Sequence, residues 1–178
     1  MVLVQLLPLA KGLEMSVSAV SVIPCPSDVL DSVLPEADFA DGYRVTLLEP
    51  DLTAAEAIRR VVQKMPKWAT RLMRLRNVIG ACIGLKPGEF GAKTAGAIGS
   101  FPVVSETGSR IVIGFDDKHL DFRIVLDLQP IGREAMTVTL LTLVLTHNRL
   151  GRAYLALIMP FHCLIAREAV RRVGARQG

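Results

Sequence analysis

The sequence predicts an α+β domain in which an antiparallel sheet packs against one long C-terminal helix, with two shorter helices after the first strand. Three observations carry this expectation. Residues 100–146 alternate apolar and polar positions with a period close to two, and short turns separate the runs. From residue 149 to about 173 the apolar positions switch to helical spacing. The chain has 178 residues, 51% hydrophobic and 21% charged, enough for one core without disulfide staples. Residues 1–15 read as an N-terminal extension and residues 16–175 as a single domain.

The elements follow in order. Residues 16–23 (SVSAVSVI) are an extended segment stopped by Pro24 and Pro26. Residues 27–41 are polar and broken by Pro35, which predicts a covering loop with at most a helical turn. Residues 43–48 read as the first full strand, ended by Pro50. Thr53 and Glu56 then form a capping-box pattern. Ala55, Ile58, Val62 and Met65 continue at helical spacing, with Arg59, Arg60 and Lys64 facing outward. Pro66 opens a second helix whose stripe is Trp68, Leu72, Leu75, Ile79 and Cys82. Five glycines between residues 84 and 99 predict a wrapping loop.

Four strands follow, over 101–106, 110–115, 120–128 and 136–146. Connections of three to seven residues favour antiparallel hairpins, since a parallel crossover needs a dozen or more. In the third, Leu120, Phe122, Ile124, Leu126 and Leu128 share one face. His119, Asp121, Arg123, Asp127 and Gln129 share the other, and only Val125 breaks the pattern. One face is therefore expected to be buried and the other wet. The last strand is apolar on both faces and belongs at the centre or against the terminal helix. That helix presents Leu150, Tyr154, Leu157, Phe161, Leu164 and Ile165 as its apolar stripe, with Pro160 expected to kink it.

This order, a sheet followed by a long terminal helix, resembles the helix-grip fold of the START and Bet v 1-like superfamily. That resemblance implies a curved sheet wrapped around the helix, often with a hydrophobic cavity between them. Four phrases, ADFADGYRV (37–45), FPVVSET (101–107), GFDDKHLDFR (114–123) and THNRLGRAYLALIMPFHCLI (146–165), resemble a bacterial family known as domain of unknown function 2867. The resemblance spans about residues 24–173 and implies no catalytic residue, cofactor or substrate. No GxGxxG or GxxxxGK[ST] motif is present for nucleotides.

Charge and composition narrow the function classes. Residues 148–178 hold six arginines against one acid, Glu168, which suits a solvated helix end complementing its dipole. With 5% aromatic residues, there are few stacking platforms and no specific nucleic-acid signal. Residues 135–146 and 153–166 fall short of the roughly 20 apolar residues of a membrane span, and no signal peptide is recognisable, so a cytoplasmic protein is expected. Cys25, Cys82 and Cys163 lack metal-ligand spacing, and Cys82 and Cys163 are expected as buried thiols. No cofactor or metal is expected.

Four polar clusters are candidate ligand-binding positions. His119, Asp121 and Arg123 share a strand face behind the Asp116–Asp117 turn, where a carboxylate can tune an imidazole. The same residues also fit an ordinary hairpin turn. His147 and Asn148 sit at the junction of the last strand and last helix, with Asn148 a candidate N-cap. This junction is the favoured site. His162 lies beside the apolar stripe of the helix, next to Pro160. Glu106 is positioned to pair with Arg110 or Arg123. The leading functional expectation is a noncatalytic module for a small hydrophobic ligand, with a small acid–base enzyme or a basic-helix interaction module as alternatives; a homo-oligomer is compatible with each.

Overall fold

The computed structural model describes residues 19–63, 67, 68, 71, 97, 98 and 101–173. Its sheet is antiparallel throughout, in the order β1-β2-β7-β6-β5-β4-β3. The strands are β1 (Ser21–Ile23), β2 (Phe39–Leu47), β3 (Ala97–Ile98), β4 (Phe101–Glu106), β5 (Arg110–Asp116), β6 (Leu120–Ile131) and β7 (Ala135–Thr146). Helix α1 is Ser27–Val33, α2 is Ala54–Gln63, and α3 is Arg149–Val173. The α+β class and the long helix packed on the sheet agree with the expected helix-grip-like arrangement. The expected extension over 1–15, most of the second helix from Pro66, and nearly all of the glycine-containing segment lie outside the described residues.

β7 is central, paired with β2 on one side and β6 on the other. Its two-sided apolar character follows from this position. Val138 and Leu140 join the core beneath α2 and α3, together with Leu126, Val170 and Val173. Leu141 and Leu143 point to the opposite face, where Val29 and Leu34 cover them. That opposite face was expected to be wet. It is instead a second small core, and Val125, the residue that breaks the β6 alternation, is fully buried within it.

The cover is α1, where a loop with at most one turn was expected. Seven residues are too few for a stable isolated helix. Val29 is 2% exposed, so burial against the sheet, rather than local propensity, holds the segment helical. β2 also begins four residues earlier than expected, with Phe39 opposite Val144 and Leu47 opposite Met136.

α2 starts as its capping pattern requires, with the Glu56 amide donating to Thr53 Oγ1 at 3.2 Å. The Glu56 carboxylate does not complete the box; it accepts from Arg60, which also grips Glu49 through two 2.7 Å bonds. Arg60 is thus tied down rather than simply facing outward. Ala54, Ala57, Ile58 and Val61 form the buried face of α2.

α3 runs through Pro160 without interruption. Its buried positions are Gly151, Tyr154, Ala166, Ala169, Val170 and Val173, which corrects the expected stripe. Of that stripe only Tyr154 is buried, while Leu157, Phe161 and Leu164 are 53%, 43% and 60% exposed. The helix has apolar residues on most of its circumference, so spacing alone does not select the inward face. Because Pro160 leaves the helix whole, α3 is long and apolar enough to cross a membrane by length and composition, contrary to expectation. Its Tyr154, Ala166 and Val170 nevertheless pack into the domain. Cys163, expected to be buried, is exposed, and Cys25 is half-buried.

Candidate functional site

A cavity of about 370 Å³ lies between α3 and the sheet, within the roughly 300–1,000 Å³ of small-molecule sites. It occupies the gap between two apolar clusters. At one end Leu140, Val170 and Val173 close the core beneath α2; at the other Leu120, Val144 and Tyr154 pack together. Between them the walls carry small side chains, Thr142 on β7 and Ala166 and Ala169 on α3, which do not fill the space. Phe122 and Ile124 form the sheet wall, and Ile158 and Ile165 face them from the helix. The partly exposed Leu157 and Phe161 also line the cavity, so it reaches solvent along this edge of α3.

Among the described residues the lining is apolar except for Thr142, Tyr154 and His162. His162 is the one sequence-singled candidate among these. Its Nε2 stands 3.3 Å from Asp41 Oδ1 on β2, and Phe39 meets the imidazole edge-on at 6.2 Å between ring centres. The Asp41 side chain is 14% exposed, and its Oδ2 is buried without a hydrogen-bond partner among the described residues. Asp41 lies directly opposite Thr142 in the β2–β7 register. Tyr43, two residues along the same face, has its phenol pushed up by burial first, then by hydrogen bonding with Cys163 and the Asp41 charge. Sequence reasoning missed Asp41. Its signal was an acid in the middle of a strand whose neighbouring inward positions, Phe39, Tyr43 and Val45, are apolar.

His119, Asp121, His147 and Asn148 gather at the junction of β7 and α3, and neither they nor Arg123 and Glu106 are in the cavity lining. Asn148 caps α3, its Oδ1 accepting from the Gly151 amide at 3.0 Å. The Asn148 amide group also donates to the Lys118 carbonyl at 3.0 Å and meets His119 Nδ1 at 3.0 Å. His119 Nε2 is buried without a partner among the described residues. His147 Nε2 pairs with Asp121 Oδ1 at 3.0 Å. Asp38, just before β2, accepts from the Thr146 amide and hydroxyl. These bonds hold its carboxyl below the usual range, the hydroxyl contributing most.

His119, Asp121 and Arg123 therefore do not converge. Each takes a separate partner: Asn148, His147 and, for Arg123, Asp116 at 2.6 Å. Asp117 accepts from the His119 amide at 3.1 Å, the local bond that makes aspartate a turn former. Glu106 does not pair as expected, because Arg110 is held by Asp127 and Arg123 by Asp116. It sits exposed on β4, opposite Ile111. Among the described residues no group of three His, Cys, Asp or Glu side chains is arranged to hold a metal ion.

The model of a family described as a protein of unknown function, DUF2867, matches residues 33–169, well over half of the chain. The matched span contains Asp41, His162 and the residues lining the cavity. No curated protein and no solved structure matches the chain.

Proposed function

Starting from the chain's membership of the DUF2867 family, we propose that this domain is a noncatalytic binding module for a small hydrophobic ligand held between sheet and terminal helix. The observation that carries the reading is the apolar cavity of about 370 Å³ beneath α3, open toward solvent beside Leu157 and Phe161. Packed interiors leave few voids larger than a water molecule. A space this large, lined almost wholly by carbon, stabilises an apolar guest by removing it from water.

A binding role is preferred to acid–base catalysis because His119 and His147 lie outside the cavity and serve the strand–helix junction. An interaction role for the basic helix end has less support, since Arg171 and Arg172 are both engaged by Glu168. The test is uptake of the neutral fluorescent probe N-phenyl-1-naphthylamine. Saturable binding to the native domain is expected, with loss in Val144→Phe, which places a ring in the cavity. A native domain that takes up no probe, or a Val144→Phe variant that binds as well as the parent, overturns the reading.

A further inference from the structure

We infer that the Asp41–His162 pair selects the head group of the ligand, and that the ligand is an uncharged amphiphile with a hydroxyl at one end, an aliphatic alcohol or a phenol, rather than a fatty acid. The inference rests on the cavity reading above and adds the chemistry of one wall to it.

An ionised carboxylate accepts hydrogen bonds and donates none. Asp41 Oδ1 faces His162 Nε2 at 3.3 Å, and a neutral imidazole that donates from Nε2 to this carboxylate keeps Nδ1 as an acceptor. His162 is the only ring nitrogen carrier among the described cavity-lining residues, and its Nε2 meets Asp41. A group that meets this acceptor must bring a proton, as a hydroxyl does. Thr142, opposite Asp41 on β7 and also at the wall, adds a second hydroxyl able to accept or donate.

Charge sets the exclusion. Asp41 stands beside this wall, against His162, with a side chain only 14% exposed. A ligand carboxylate placed beside His162 would bring a second anion close to it in a poorly screened site. Rejection of this kind separates ligands whose apolar tails bind alike. Arg44, next on β2 beyond Tyr43, turns to the other face and bonds Thr139 at 3.3 Å, so it does not offset that charge.

The experiment is displacement of N-phenyl-1-naphthylamine by decan-1-ol and by decanoate at pH 8. The alcohol is expected to displace the probe at least about tenfold more effectively than the carboxylate. His162→Phe is expected to weaken the alcohol about fivefold, the loss of one hydrogen bond. Asp41→Asn is expected to narrow the alcohol–carboxylate gap. Equal displacement by both chains, in a domain that binds the probe, overturns the head-group assignment and leaves the cavity reading standing. A native domain that binds neither probe nor either chain overturns both. The comparison of the two chains on the unaltered protein decides the matter even where a variant does not fold.

Discussion

Asp41 on β2 and His162 on α3 meet at 3.3 Å across 121 residues of sequence, at the point where the helix passes over the cavity. A half-buried ion or hydrogen-bonded pair is weak evidence for stability, because desolvation offsets much of the attraction. Losing one partner is costlier than losing both. His162→Ala is therefore expected to destabilise the domain by about 1–3 kcal/mol, since Asp41 Oδ2 already has no partner among the described residues. The double variant Asp41→Val/His162→Phe is expected to lie closer to the parent than His162→Ala alone. Urea unfolding of the three proteins checks this, and a double variant at least as unstable as His162→Ala would show that the pair is not coupled in this way.

A second expectation concerns Gly151 in the first turn of α3. A Cβ there would stand 2.1 Å from the His119 carbonyl oxygen, which also accepts from the His147 amide at 2.9 Å. In a helix interior, alanine is normally better than glycine by about 1 kcal/mol. Here the clash is with backbone, which cannot swing aside, and overpacking costs about 1–3 kcal/mol. Gly151→Ala is expected to lower stability, whereas Gly108→Ala, with nothing within 4 Å, is expected to be tolerated. Thermal unfolding of the two variants side by side separates them.

How far these features were legible depends on how local their causes are. The hairpins over β4–β7 and the bounds of α3 follow from alternation, turn residues and the Asn148 cap, all within a few positions of one another. α1 was not legible, because its seven residues are held helical by Val125, Leu141 and Leu143 on distant strands. The start of β2 was hidden for another reason. Asp41 occupies an inward position that alternation reserves for an apolar residue, so the strand reads as loop from 37 to 42. A local inconsistency of this sort is where function is expected, and the same acid turned out to face His162. The junction favoured from sequence, His147 and Asn148, draws in His119 and Asp121 from the neighbouring hairpin, a long-range pairing that spacing does not reveal, and resolves into separate pairs.

The direction in which α3 faces the core gives a third expectation. Leu164 is 60% exposed and Val170 fully buried, although spacing placed Leu164 in the inward stripe. Leu164→Ala is expected to change stability by no more than about 0.5 kcal/mol. Val170→Ala is expected to cost about 2 kcal/mol through lost contacts with the α2 and sheet core. Reversal of that order in urea unfolding would mean that the helix is rotated about its axis relative to the structure described.

The last expectation is an acid-side loss of stability with a known origin. Hydrogen bonds from Arg171, then Arg172, bring the Glu168 carboxyl down to about 2. A carboxylate whose folded pKa is depressed contributes stability that is fully present above its unfolded value, near 4.5, and is lost as pH falls toward the folded value. Asp38 acts in the same direction through its bonds from Thr146. The whole shift at Glu168 overstates the contribution, because Arg171 is 64% and Arg172 35% exposed and solvent screens both pairs. Pairs three and four residues apart on a helix contribute about 0.3–0.5 kcal/mol each, so Glu168→Gln is expected to cost about 1 kcal/mol or less at pH 6. That difference between parent and variant is expected to shrink between pH 4.5 and pH 2.5, and to be smaller in 0.5 M salt at every pH. Urea unfolding across that range measures it. A difference independent of pH would assign the loss to packing of the Glu168 stem rather than to its charge.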